Sequence, residues 1–397
     1  MHSTKLRTAC VAAGLALVAL AGVMPAAADA GTFTIHSCKL PDGSPAATGG
    51  WTKQTAAAGF LQADTCVAGE SLRTEMEGLG MPVGSQRLWR WAAAADTQLQ
   101  AVELYRSFAL AAGNAGATPT MTIDAGPQRI EQNGSSLPSG NGVASGGTLS
   151  PWNHATNRLS VADPASLAAN EVTLTLSCIG RAGASCPSTG TAGSELHLLA
   201  ARFTLLDALS PSITAVGGSL TTGSEKAGTQ TLRFSATDAG AGIYRTFLDV
   251  DGTTVATSTP STNTGHCADA VPANSDPYEF QHAQPCPLAV TDVDVPFDTR
   301  TVADGTHTVQ LRVEDAAGNE AAAYGPTAMV GRNTPRPSPR PRSARRPSSP
   351  GPARRRPAAA RRAPERPARG PASTASAATL RLAYPSSSCA RTSAACA

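Results

Sequence analysis

The chain is short of most features that mark an enzyme or an anchored protein. It contains no H-E-x-x-H, G-x-S-x-G, S-x-x-K or Walker-type phosphate loop, so zincin, α/β-hydrolase, penicillin-binding and P-loop chemistries have no local signature. The segment GLGMPVG from Gly78 has one G-x-G but neither the third glycine's spacing nor a strand-to-helix setting, and it reads as a turn. No apolar period of 3.6 residues persists beyond about two turns, the nearest lying around Ala92–Gln100, which excludes a helical architecture. The longest apolar run, from about Ala9 to Met24, is shorter than the roughly 18 to 20 residues a bilayer span needs, so no transmembrane segment is expected. Aromatics make up only 4% of the chain, and lysine is almost replaced by arginine.

What is present points outward from the cell. Lys5 and Arg7, the apolar run, Pro25 and the small-residue stretch AAADA have the three-part layout of a signal peptide over residues 1–30. Cys10 lies inside it. The eight remaining cysteines fall into local pairs: Cys38 with Cys66, Cys178 with Cys186, Cys267 with Cys286, and Cys389 with Cys396. An even set in an oxidising compartment reads as disulfides, although four cysteines in the first half admit three connectivities. A zinc site built from His266, Cys267, His282 and Cys286 is the competing reading of the third pair. The expected location is secreted or on the cell surface.

Charge divides the chain at about residue 334. Residues 31–333 carry 16 basic and 27 acidic side chains, whereas residues 334–397 carry 14 arginines and one glutamate. That last segment is built largely of Pro, Arg, Ala and Ser, a composition that supports neither helix, sheet nor core, so disorder is expected there. Its charge would attract anionic wall polymers or headgroups, but without interleaved aromatics it offers no stacking surface for specific nucleic-acid binding. Out-of-frame translation of GC-rich DNA yields the same composition, and both origins remain open for it.

The acidic part is long enough for two domains, with a boundary expected near Asp207–Pro211, giving 31–208 and 209–333. In the first, strands are expected at TFTIH from Thr32, SLRTEM from Ser71, QRLWRWA from Gln86, AVELYRSFAL from Ala101, TMTID from Thr120, EVTLTLSC from Glu171 and His197–Leu206. Val172, Leu174, Leu176 and Cys178 alternate with Thr and Ser, giving one buried and one wet face. With a long Gly/Ser-rich loop at Gly126–Ser150, this pattern suits a jelly-roll-like β-sandwich.

In the second part, Leu232, Phe234 and Ala236 alternate with Arg233 and Ser235, and Val309, Leu311 and Val313 with Gln310, Arg312 and Glu314. Both strands run into an Asp followed by a Gly-containing turn, DAGAG at Asp238 and DAAGN at Asp315. The phrases ATDAGAGIYRTFLDVDG and DGTHTVQLRVEDAAGN resemble bacterial immunoglobulin-like modules of exported surface proteins and polysaccharide-active enzymes, over about residues 211–331. The resemblance implies an immunoglobulin-like β-sandwich acting as spacer, adhesive unit or attachment domain. The stretch Pro260–Pro287 departs from a minimal module. The fold class is therefore all-β throughout, two successive sandwiches and a disordered tail.

Candidate chemistry is sparse. Trp89 and Trp91 share a strand face, and Trp51 and Trp152 lie in Gly- or Pro-rich loops; such rings stack on the C–H faces of sugars or pack a core. The loop pair is the better expectation for exposure. Paired carboxylates for a polysaccharide hydrolase would come from Glu75 or Glu77 with Asp64 or Glu103. Asp249 with Asp251, Asp292 with Asp294, and the turn residues Asp238 and Asp315 would bind calcium only if they converged; the reading taken is solvated turn formers, with no metal and no cofactor. His307 is read as a hydrogen-bonded structural residue. The expected function is a non-catalytic, adhesive binding protein contacting a glycan or cell-wall polymer, with a hydrolase and a purely structural spacer as alternatives.

Overall fold

The computed structural model describes residues 30–334, apart from 55–58, 77–79, 114–115, 135–143, 164, 166, 169 and 187–192. The signal peptide, the Arg-rich tail, the Cys389–Cys396 pair and Glu77 lie outside the described residues. Among the described residues the regular structure is nearly all strand, as expected from the period-two patterning.

The first half runs β1 (Gly31–Ser37), β2 (Thr52–Gln54), β3 (Phe60–Asp64), β4 (Leu72–Met76), β5 (Met81–Pro82), β6 (Gln86–Ala92), β7 (Thr97–Leu110), β8 (Ala117–Ala125), β9 (Gln128–Gly134), β10 (Ala144–Gly146), β11 (Arg158–Val161), β12 (Glu171–Gly180), β13 (Ser185–Cys186) and β14 (Glu195–Asp207). Two large sheets form. One follows the order β10-β7-β14-β1, with β11 also on β7 and the β3–β4 pair on β14; the other is β2-β6-β12-β8-β9. Val172, Leu174, Leu176 and Cys178 of β12 are all buried, so the alternation read from the sequence sets the face that meets the core. The span expected as one long loop, Gly126–Ser150, instead carries β9 and β10. Gly126 adopts positive φ (54°) and turns the chain so that β9 pairs back on β8.

The second half comprises β15 (Ser212–Gly217), β16 (Glu225–Lys226), β17 (Thr229–Thr237), β18 (Ile243–Val250), β19 (Thr253–Ser258), β20 (Glu279–Phe280), β21 (Ala289–Asp298), β22 (Gly305–Asp315) and β23 (Glu320–Gly331). Its sheets are β15-β17-β21 and β16-β23-β22-β18-β19, with β16 parallel to β23 and the remaining pairs antiparallel. That strand order is immunoglobulin-like. Leu232, Phe234, Ala236, Val309, Leu311 and Val313 fill the space between the two sheets.

The segment 260–287 is what ties the halves together. β20 leaves the second sandwich and pairs in parallel with β1, Thr34 opposite Glu279 and Ile35 opposite Phe280. Phe280, Tyr244, Cys267 and Cys286 are thereby packed into the core of the first half. Disulfides join Cys38–Cys66, Cys178–Cys186 and Cys267–Cys286, spanning 28, 8 and 19 residues. The third closes the insertion and consumes both sulfurs of the zinc alternative, leaving His266 and His282 as a stacked ring pair 3.6 Å apart. Among the described residues no helix is long and apolar enough to cross a membrane.

Candidate functional site

Of the four tryptophans, three are core residues. Trp51, Trp89 and Trp91 are 5%, 2% and 0% exposed. Trp89 and Trp91 do share a face of β6, but it is the inward face: Trp91 stacks on Phe203 of β14 at 3.8 Å between ring centroids and donates its indole N–H to the Gly49 carbonyl at 2.8 Å. Trp51, expected to be exposed because it sits in a Gly-rich loop, also packs against Phe203, at 5.9 Å. A small, sparsely aromatic chain uses its largest rings to fill a sandwich, and position in a loop says nothing about which way a ring turns. These three present no face to a ligand.

Trp152 differs. It is only partly buried and helps line a cleft of about 620 Å³ together with Lys39, Glu70, Ser71, Arg73 and His197. The loop that carries it is held from below. Asn157, fully buried, accepts from the Thr148 amide at 2.7 Å and donates to the carbonyls of Thr148 and Trp152 at 2.8 and 2.7 Å. Arg106 of β7 donates to the Thr156 carbonyl at 2.6 Å and grips Glu131 of β9 with two hydrogen bonds, at 2.7 and 2.6 Å. Gly147 has φ +78°, and a Cβ there would lie 2.5 Å from the Arg106 carbonyl oxygen, so the loop can turn onto β7 only at a glycine. The Trp152 ring meets Tyr105 edge-on at 5.0 Å.

The other wall is the turn Thr65–Ser71, stapled through Cys66 to Cys38, and the adjoining strands β4 and β14. Lys39 donates to the Gly69 carbonyl, and burial lowers its pKa. Ser71 Oγ lies 2.9 Å from His197 Nδ1, and His197 Nε2 lies 3.2 Å from Glu195. The nearness of His197 holds the Glu195 carboxyl below its ordinary range, although Nε2 makes no well-directed hydrogen bond to it. This Ser–His–Glu chain is not visible in the sequence, because Ser71 meets the other two only through the antiparallel pairing that sets Arg73 opposite His197. It has the residue types of a hydrolytic triad. The nearby amides are already committed, however: Gly69 N–H to Cys66, Glu70 N–H to Thr65 and Ser71 N–H to the Thr65 hydroxyl. The amides of Gly69, Glu70 and Ser71 are therefore not available to stabilise an oxyanion.

The paired-carboxylate alternative fares less well. Arg73 pairs with Glu75, and Asp64 accepts from the Cys66 amide at 3.2 Å and from the Thr48 hydroxyl. Glu103 binds Arg158 at 3.0 Å and Tyr105 at 2.6 Å, and the bond from Arg158 is the main reason its pKa is lowered. A glycosidase acid needs the opposite shift. His307 is structural, its Nδ1 2.7 Å from Asp251 and its Nε2 2.8 Å from the Ala303 carbonyl.

No family model matches the chain, and no curated protein matches it. Solved structures similar to it include the fibronectin(III)-like modules of Clostridium thermocellum CbhA, at 9% identity over 65% of this chain and 91% of that one, TM-score 0.19. Dimeric latent PorU from Porphyromonas gingivalis is similar at 14% identity over 73% of this chain and 25% of that one, TM-score 0.19. A Bacteroides uniformis beta-glucuronidase is similar at 10% identity over 68% and 32%, TM-score 0.15. The chain thus spans a third or less of the last two. At these scores the immunoglobulin-like assignment rests on the strand order alone.

Proposed function

We propose that the chain is an exported, non-catalytic binding protein whose first sandwich holds a glycan or cell-wall polymer in the Trp152 cleft and whose immunoglobulin-like sandwich serves as spacer. The observation that supports this is the makeup of the cleft: one partly exposed aromatic ring facing a wall of Lys39, Glu70, Ser71 and Arg73, at about 620 Å³. Sugar recognition needs that combination, an aromatic face for the C–H side of a ring and a few fixed polar groups for its hydroxyls. The three disulfides fit an oxidising, extracellular setting.

The test is sedimentation of the full chain with purified cell walls and insoluble polysaccharides at high salt, which silences the Arg-rich tail. Binding that survives salt and is lost in Trp152→Ala supports the reading; equal binding by Trp152→Ala overturns it. A second reading, an esterase-like hydrolase, is favoured only by the Ser71–His197–Glu195 chain. Turnover of a chromogenic ester that disappears in Ser71→Ala would establish it in place of the first.

A further inference from the structure

Three carboxylates meet where the two sandwiches join. Asp207 ends β14, Asp238 follows β17 and Asp315 ends β22, so strands from both halves of the chain deliver one acid each to a single point. One oxygen of each lies within 4.8 Å of the others, and the residues are 0%, 5% and 0% exposed. The reading of Asp238 and Asp315 as solvated turn formers is therefore corrected: they form turns, but buried ones.

Most of the oxygens are served by neutral donors. Asp207 accepts from the amides of Leu209 at 2.9 Å and Ala241 at 2.6 Å. Asp315 accepts from the amides of Ala317 and Asn319 at 2.8 and 2.9 Å, and from the Asn319 side chain at 2.8 Å. Asp238 Oδ2 accepts from Gly242 at 2.7 Å and Gly240 at 3.2 Å. Asp238 Oδ1 has no partner at all, although it is buried. Among the described residues no Lys, Arg or His forms an ion pair with any of the three, whereas three of the four other aspartates singled out in the sequence are engaged: Asp249 with Arg312, Asp251 with His307 and Asp294 with Arg233.

Burying three acids together without a counter-charge is costly, and an unserved carboxylate oxygen adds to the cost. A cation between them would remove both penalties. We propose that Asp207, Asp238 and Asp315 form a calcium site that locks the junction between the two sandwiches. The donor set is all oxygen, which suits a hard cation and not zinc or copper. One oxygen of each acid lies within 4.8 Å of the others, close enough for all three to reach one ion, and calcium tolerates an irregular oxygen shell where magnesium demands a near-ideal octahedron. The local sequence is fitted to this point as well. A Cβ on Gly240 would lie 1.9 Å from Asp207 Oδ2, so only glycine lets the DAGAG turn approach that acid. Asn319 of DAAGN donates to the Asp207 and Leu209 carbonyls at 3.1 Å each and accepts from the Gly31 amide at 2.9 Å, binding the start of β1 to the same spot.

The full chain, stripped with EGTA, would be titrated calorimetrically with calcium and with magnesium and then melted with and without each ion. One calcium per chain is expected, with Kd about 10⁻⁴–10⁻³ M or tighter, and a Tm rise of roughly 5 °C or more once calcium exceeds Kd a hundredfold. Asp238→Asn is isosteric and removes one of the crowded charges. It is expected to fold, to melt no lower than the stripped wild type, and to lose the calcium response. No heat of binding and no Tm shift in the wild type would overturn the proposal, as would an unchanged calcium response in Asp238→Asn. A stronger response to magnesium would overturn its assignment to calcium.

Discussion

His36 Nε2 lies 3.0 Å from the Glu279 carboxylate, with both side chains buried, and this pair fastens the 260–287 insertion to the first strand of the chain. His36 is on β1 and Glu279 on β20, so one hydrogen bond crosses the seam at which the second sandwich lends a strand to the first sheet. Burial is the main influence on His36 and lowers its pKa, outweighing the attraction of Glu279. The ring is then neutral and donates to the carboxylate.

Glu279→Ala is expected to leave that donor buried and unpaired, at a cost of roughly 1–3 kcal/mol. Denaturant unfolding would show a lower midpoint, and limited proteolysis would cut within 260–287 faster than in the wild type. The pH dependence has a definite sign. Because the folded pKa of His36 lies below its unfolded value near 6.5, the native state binds fewer protons there, so this contribution is fully present above about pH 6.5 and is lost as pH falls from there through the lower folded value. A fall in Tm from pH 7 to 5.5 that was as large in His36→Gln as in the wild type, or no fall at all in the wild type, would contradict this assignment.

The Cys267–Cys286 bridge closes a 19-residue span that carries β20. Chain-entropy arguments put such a bridge at about 3 kcal/mol, acting mainly on the unfolded chain. The double Cys→Ser variant is expected to unfold at lower denaturant with the same final signal as reduced wild type. Equal stability in oxidised and reduced wild type would show that packing of Phe280 and Tyr244 suffices to hold the insertion.

These seams explain what could be read from the sequence and what could not. Period-two alternation in QRLWRWA, EVTLTLSC, QTLRFSATD and HTVQLRVED located strands and their buried faces, because that pattern is local. The three short-range disulfides were legible for the same reason. Three things were not: that Trp51 turns inward onto Phe203, that Ser71 meets His197, and that Asp207 joins Asp238 and Asp315. Each depends on which strands become neighbours in the sandwich, and no residue near Asp207 in the sequence announces the other two.

The tryptophans offer a separation of stability from binding. Trp91→Ala removes a fully buried ring stacked on Phe203 and is expected to cost about 3–5 kcal/mol. The fraction that stays folded should bind polysaccharide as the wild type does. Trp152→Ala should reverse the pattern, with a small change in midpoint and loss of binding. Parallel losses of both properties in both variants would mean that the cleft is not a distinct site.

His307 provides the opposite pH signature from His36, on the second sandwich. Both ring nitrogens face acceptors, Asp251 and the Ala303 carbonyl, so the doubly protonated ring satisfies both while the neutral ring satisfies one. The hydrogen bond with Asp251 is the largest influence and raises the pKa of His307, while the same bond lowers that of Asp251. A folded pKa above the unfolded one means that the contribution is fully present below about pH 6.5 and fades as pH rises through the folded value. Asp251 is well exposed, so the effect is screened by solvent and salt and is small. Titration of the His307 ring by NMR gives the direct check. Its midpoint should lie above that of an exposed histidine, should fall in Asp251→Asn, and should approach the ordinary value at high salt; a midpoint insensitive to the Asp251 substitution would place the cause at the Ala303 carbonyl instead.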